Sequence, residues 1–237
     1  MGLKIKNSKN IVTDGLILVL DASDPSSYSG SGTTWYDRSG NSTNGTLTNG
    51  VSFNSSDGGS MVFDGSNDAV AINPDFSSIN EFSISLWAKN DVYGTTTTQA
   101  LTGNYPSGGT YVRVNTQATK FYILTNINGI ENSFFFSSGA IDYTSINQQG
   151  SENLWNNYVI TFKNNDSAKC YINYNLIKTQ TLSDSISGLN TSFKAVGNYA
   201  NSYVWDGKIA ETLFYSKSLS ASEVERNYNA TKSRFGL

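Results

Sequence analysis

Residues Trp205–Val224 read WDGKIAETLFYSKSLSASEV: a glycine-containing turn, an extended segment and a helix start, in that order. Side chains alternate along a strand, which puts Ile209, Glu211, Leu213 and Tyr215 on one face and Ala210, Thr212 and Phe214 on the other. A short helix is predicted next. Ser220 is its N-cap, Glu223 closes a capping box three residues on, and Leu219 with Val224 forms a hydrophobic staple. Val224 and Tyr228, four apart, give one apolar stripe able to dock on a sheet.

Working outward, the chain reads as many short strands separated by polar turns. Gly15–Asp21 (GLILVLD) is nearly continuous apolar, as suits a strand buried on both faces. Ser60–Phe63 and Ala69–Ile72 flank a turn rich in Asp, Gly and Asn and read as a hairpin. FSISLWAK places Phe82, Ile84, Leu86 and Ala88 on one face and Ser83, Ser85 and Trp87 on the other. Further strands are expected at Thr110–Val114, Lys120–Asn126, Ser133–Ser137, Tyr158–Lys163, Lys169–Asn173, Leu176–Thr181 and Phe193–Gly197. More than ten such segments imply two packed antiparallel sheets, an all-β sandwich with a short C-terminal helix. One domain, residues 14–237, follows an N-terminal arm, Met1–Thr13.

Composition removes several functions. A net charge of −3 and a pI near 4.9 offer no basic surface for a phosphate backbone, so nucleic acid is not an expected partner. The longest apolar run, Leu16–Leu20, is far too short to span a bilayer, and the lysine-bearing start lacks a signal-peptide pattern. Histidine is absent, which excludes Ser-His and Cys-His nucleophiles and His-ligated metals. Cys170 stands alone, in a run where it shares a face with Ile172, and reads as a buried, inert thiol.

The chain resembles the laminin-G-like, concanavalin A-like lectin/glucanase jelly roll across nearly its whole length. The resemblance rests on GLILVLDAS; Trp35-x-Asp37-x-Ser39-Gly40-Asn41 with Asn44-Gly45-Thr46-Leu47; Met61-Val62-Phe63-Asp64-Gly65 with Asp68; and FSISLWAK. Trp155 with Tyr158–Phe162, Tyr171-Ile172-Asn173, Val196-Gly197 and Gly207–Glu211 with Leu219-Ser220 and Glu223-Val224 complete it. Asn156-Asn157 stand where the family often has a His after Trp155, and Asn173-Tyr174-Asn175 replaces an Asn-Gly turn. The ends, LDASDPSSYSGSGTTWYDRSGN and LSASEVERNYNATKSRFGL, look like those of tailed-bacteriophage virion proteins that carry this domain. That likeness implies a non-enzymatic virion component, a capsid decoration or tail-fibre protein made in the host cytoplasm. It would be a homo-oligomer or lattice-bound, with the arm Met1–Thr13 and Arg226–Leu237 touching neighbouring subunits.

Two other functions compete with the virion reading. Glucanases of this fold carry a Glu-x-Asp-x-x-Glu run because retaining hydrolysis needs an acid and a nucleophile about 5 Å apart. No such run exists here. Asp21 with Asp24, and Asp64 with Asp68, have the spacing of turn-forming Asx residues. Carbohydrate binding, with host surface polysaccharide as partner, is the stronger competitor, since lectins stack sugars on aromatic rings. Trp87, Tyr122, Tyr171 and Asn173 can line a concave sheet face, although Trp87 and Tyr171 serve equally as core beneath loops. Tyr105, Tyr199, Tyr203 and Trp205 sit in polar segments where recognition concentrates. No cofactor is expected. Many relatives of this fold bind calcium, and Asp21, Asp64, Asp68, Asp206 and Glu211 offer hard oxygens, but no loop pattern assigns them a metal.

Overall fold

A computed structural model describes residues 10–76, 80–91, 99–103, 111–117, 120–127, 130–134, 154–182, 194–199 and 203–237. The strands among them are β1 (Leu16–Asp21), β2 (Thr34–Trp35), β3 (Gly45–Thr48), β4 (Ser52–Asn54), β5 (Ser60–Asp64), β6 (Ala69–Ala71), β7 (Glu81–Asn90), β8 (Gln99–Gly103) and β9 (Tyr111–Gln117). They continue with β10 (Lys120–Ile127), β11 (Ile130–Phe134), β12 (Trp155–Lys163), β13 (Ser167–Ile172), β14 (Asn175–Thr181), β15 (Ala195–Val196), β16 (Asn198–Tyr199), β17 (Tyr203–Val204) and β18 (Asp206–Tyr215). Helix α1 (Ala221–Thr231) and a 3-10 turn, Lys232–Phe235, follow. The first sheet runs β14-β13-β12-β7-β18-β5-β4 with β1 beside β18, and the second runs β11-β10-β9-β8-β15-β6-β3-β2. This is the expected two-sheet antiparallel jelly-roll sandwich. No helix among the described residues is long and apolar enough to cross a membrane.

The main core lies between the sheets and follows the period-two pattern. Phe82, Ile84, Leu86 and Ala88 of β7 meet Tyr158, Ile160 and Phe162 of β12, Leu18 and Leu20 of β1, Val70 of β6 and Val196 of β15. The Phe82 and Phe162 rings stack at 5.1 Å. Cys170 is fully buried here, and burial pushes its thiol pKa well up.

Two details depart from simple alternation. One edge of β18 serves two partners, Asp206–Ile209 pairing with β5 and Glu211–Tyr215 with β1. Between Ile209 and Glu211 the register against β7 slips, and the carbonyl of Ala210 accepts the amide of Ala22. This bulge turns Ile209 into the main core with Phe214, whereas Ala210 faces Trp87 on the opposite side. Ile209 and Glu211 therefore do not share a face, contrary to expectation. Nor do Ser60–Phe63 and Ala69–Ile72 form a hairpin. β5 lies in the first sheet and β6 in the second, because Asp68 accepts the Asp64 amide and Asn198 clamps the Asp68 carbonyl, making the loop a corner between layers.

The first sheet is apolar on its outer face as well. Val19, Val159, Tyr171, Leu213 and Tyr215 are covered by Ile11, Val12, Leu219 and Val224. Ser220 and Glu223 make the predicted capping box, so the helix starts where its apolar stripe can reach the sheet. Asn227 ties three elements together: its Oδ1 accepts the Val12 amide at 2.8 Å and its Nδ2 donates to the Tyr215 hydroxyl at 3.0 Å. That hydroxyl donates to the Val12 carbonyl at 3.1 Å. The Arg226 guanidinium donates to the backbone and side-chain oxygens of Asn10. Residues 10–13 are therefore part of the domain rather than a reaching arm, with Ile11 and Val12 only 4% and 3% exposed.

Arg234 fastens the C-terminal turn. It donates to the Asp21 carboxylate at 3.0 Å, to the Asp57 carbonyl at 2.7 Å and to the Gly59 carbonyl. Replacing Arg234 by Ala leaves Asp21 nearly buried without its cation, and is expected to cost about 3 kcal/mol in urea unfolding. An unchanged midpoint would show that the turn does not hold the sheet.

Candidate functional site

Three of the aromatic residues marked by the sequence, Trp87, Tyr171 and Trp205, lie inside. Trp87 is 1% exposed, stacked against Phe235 at 4.2 Å and Tyr228 at 5.6 Å, and its indole N–H donates to Thr231 Oγ1 at 2.8 Å. Stacked by two aromatic rings and buried, it offers no surface on which a sugar can lie. Tyr171, at 2% exposure, belongs to the cluster under α1, and Trp205, at 0%, to the main core. Asn173 is buried too: its Oδ1 accepts the Asn157 amide and its Nδ2 donates to Asn156 Oδ1. Tyr203 is half-buried, its strand position pairs in register with that of Tyr199 in the β16–β17 ribbon, and Tyr122 is a β10 position in register with Asn115. Tyr105 is outside the described residues. The expected concave platform of Trp87, Tyr122, Tyr171 and Asn173 is therefore not assembled. Trp87, Tyr171 and Asn173 lie beneath α1 or in the β13–β14 turn, and Tyr122 belongs to the other sheet.

Exposed rings occur elsewhere. Among the residues whose side chains are described they are Tyr36 and Tyr174, 52% and 41% exposed. Tyr174 occupies the two-residue turn between β13 and β14, where Asn173 and Tyr174 have φ of 48° and 62°. Positive φ at both central residues is the demand of a type I′ hairpin, which Asn-Gly meets without strain and a bulky side chain meets at roughly 1–2 kcal/mol. The Tyr174 ring packs on Tyr228 at 4.9 Å, and the exposed Leu176 follows on β14. The sequence did carry a signal for this residue, an aromatic side chain in the glycine position of the turn.

The carboxylates serve architecture. Asp21, Asp24, Asp37 and Asp64 each accept the amide of a Ser two residues on, at 2.8–2.9 Å, in Asx turns. Asp21 and Glu211 are cross-strand neighbours, but they are 6% and 3% exposed and Asp21 is bound to Arg234, so they do not line an open cleft. The calcium candidates split in two, because Asp206 and Glu211 stand five residues apart on β18, roughly 16 Å. Among the described residues no group of three acids or thiols is arranged to hold a metal ion.

Asp64 and Asp206 are cross-strand partners at the corner where the Asp91 amide donates to the Asp206 carbonyl. Burial, then the charges of Asp91 and Asp64, raises the Asp206 carboxyl pKa. Asp68, 2% exposed with Oδ1 unpaired, is raised by burial and by Asp64, against the lowering effect of the Asp64 amide. Glu223 is lowered, since its bonds to Lys217 and Ser220 outweigh its own desolvation.

The architecture is thus a two-layer antiparallel sandwich in which Asp21, Asp24, Asp37 and Asp64 are engaged in turns and Asp21 also in an internal ion pair. The chain belongs to the concanavalin A-like lectin/glucanases superfamily, whose sequence model matches residues 64–225. Its fold is similar to the receptor-binding domain of botulinum neurotoxin D (TM-score 0.71, 19% identity, covering 92% of this chain and 53% of that one). It is also similar to the binding domain of Paraclostridial Mosquitocidal Protein 1 (TM-score 0.69, 20% identity, 92% and 52% covered). A botulinum neurotoxin type C structure, described as depending on two ganglioside molecules for cell entry, aligns at TM-score 0.69 and 17% identity, with 96% and 53% covered. The chain spans about half the length of these structures. Sequence comparison with curated proteins returned no match.

Two outcomes follow from this geometry. Trp87→Ala removes a buried ring stacked by Phe235 and Tyr228 and is expected to lower stability by about 3 kcal/mol or more in thermal unfolding. A near-wild-type midpoint would mean that the ring is not core. Asp206, raised in the folded state, contributes stability at acid pH that is lost as pH climbs through its elevated pKa. Asp206→Asn is therefore expected to raise the midpoint at pH 7, by roughly a few tenths of a kcal/mol given solvent screening, and by less near pH 4. An equal gain at both pH values would contradict the repulsion.

Proposed function

We propose that this protein is a non-catalytic carbohydrate-recognition domain. The observation that carries the reading is a lectin-type sandwich whose acids are engaged internally, combined with exposed tyrosines at turns rather than a carboxylate cleft. Similarity to botulinum neurotoxin structures, one described as dependent on two ganglioside molecules for cell entry and another as a ligand-binding domain in complex with N-acetylneuraminic acid, supports a sugar as the ligand class. Aromatic rings suit this work because a pyranose offers an apolar C–H face to stack and hydroxyls to bond around it. The purified chain should bind a subset of a glycan array and leave those glycans uncleaved after prolonged incubation. Absence of any array signal at high protein concentration would reject the reading, and released reducing ends would reverse its non-catalytic part.

We propose further, from the sequence of the two ends, that the domain works on a tailed-bacteriophage virion, where binding a host polysaccharide would serve attachment. Arg226 and Arg234 are bonded within the domain, so contacts to neighbouring virion subunits would have to use other surfaces. Immunogold labelling of purified particles tests this setting. Label on capsid or tail supports it, and label confined to the unassembled fraction of the lysate overturns it.

A further inference from the structure

Tyr174 combines three properties that seldom coincide: an exposed ring, a rigid mount and an unfavourable backbone. Its ring is 41% exposed and rests on Tyr228, which is itself stacked on Trp87. The turn beneath it is pinned, because Asn173 bonds Asn156 and Asn157 and the Asn175 side chain donates to the Asn173 carbonyl. At φ 62° a glycine would sit without strain, so the ring occupies a position where local backbone energetics disfavour it. Strain held in place by surrounding structure points to a role at the surface.

The cations nearby narrow the ligand. The segment from Lys217 to the C-terminus carries Lys217, Arg226, Lys232 and Arg234. Lys217 is bonded to Asp14 and Glu223, Arg226 to Asn10, and Arg234 to Asp21, Asp57 and Gly59. Lys232 has no carboxylate partner among the described residues, and its ammonium lies 5.4 Å from the centroid of the Tyr228 ring that supports Tyr174. The exposed Tyr174 ring and the Lys232 ammonium thus share the Tyr228 ring as support, and together they fit a sugar ring that is apolar on one face and anionic at its rim. Tyr36, also exposed, has no such cation packed on it among the described residues.

We infer that Tyr174 and Lys232 form a binding site for a carboxylate-bearing pyranose, a sialic or uronic acid, stacked on Tyr174 with its carboxylate at the Lys232 ammonium. This rests on the carbohydrate-recognition reading and gives it a location and a ligand class. The rigid turn leaves little side-chain freedom to be lost on binding, and the charge-assisted contact supplies selection over neutral sugars.

Calorimetric titration of the full chain with sialyllactose, a glucuronate oligosaccharide and neutral lactose tests it. Wild type should bind at least one acidic sugar roughly tenfold more tightly than lactose. Tyr174→Gly should weaken that binding by roughly tenfold or more, with a melting temperature equal to or above wild type, because Asn-Gly is the favoured occupant of this turn. Lys232→Gln should remove the acidic preference and leave lactose binding unchanged, and Tyr36→Ala should change nothing. Wild-type affinity in Tyr174→Gly, or equal binding of acidic and neutral sugars, overturns the site. A glycan found on an array whose binding ignores both substitutions overturns the site while leaving carbohydrate recognition standing.

Discussion

The structure depends on covering the outer face of its first sheet. β7, β12, β13 and β18 carry large apolar or aromatic side chains on both faces, and water on the outer one would expose Trp87, Trp155, Tyr171, Leu213 and Tyr215 together. Burial of apolar surface is the dominant favourable term in folding, so this face cannot be left open. The chain covers it with its own ends. α1 and the Lys232–Phe235 turn lie over one part, Ile11 and Val12 over another, and polar contacts through Asn227, Arg226 and Arg234 fix where they lie. The outer serines of β7 belong to the same device. Ser83 Oγ donates to the Lys217 carbonyl and accepts the Leu219 amide, steering the chain from β18 into the helix.

A sheet face sealed by a helix and an aromatic turn cannot serve as a sugar-binding surface, so the carbohydrate recognition proposed above would have to use loops, turns or the opposite sheet. Rigid sandwiches commonly carry their binding residues on such connections, where sequence is freer than in the core. Tyr174 follows that logic: it projects from a hairpin turn and is braced by α1, the element that closes the sheet. The helix thus supports one surface while sealing another.

Much of the fold was legible in the sequence. The capping box at Ser220 and Glu223 and the alternation of FSISLWAK are local signals, and both describe the structure correctly. The bulge at Ala210 was not legible, since an extra residue in a strand leaves no mark in side-chain type. Nor was the separation of β5 and β6 into different sheets, because a turn rich in Asp, Gly and Asn serves a hairpin and a corner equally well. β8, QALTG, lacks alternation and escaped notice because all five of its residues are buried. For the site the difficulty was range. Trp87 looked available on a serine-lined strand, and its covering partner Thr231 lies 144 residues away in the chain. Tyr174 stood out only as a departure from Asn-Gly, and its exposure and its support from Tyr228 are tertiary facts.

The sealed face can be tested directly through Trp87 and Trp155, 1% and 7% exposed, with Trp35 and Trp205 of the main core as buried internal references. Acrylamide quenching of the native fluorescence should be weak and uniform, and added glycan should leave it unchanged. A component quenched as readily as free indole, or one that glycan protects, that disappears when Trp87 or Trp155 is replaced by Phe would show that the outer face of the first sheet is open and would contradict this account.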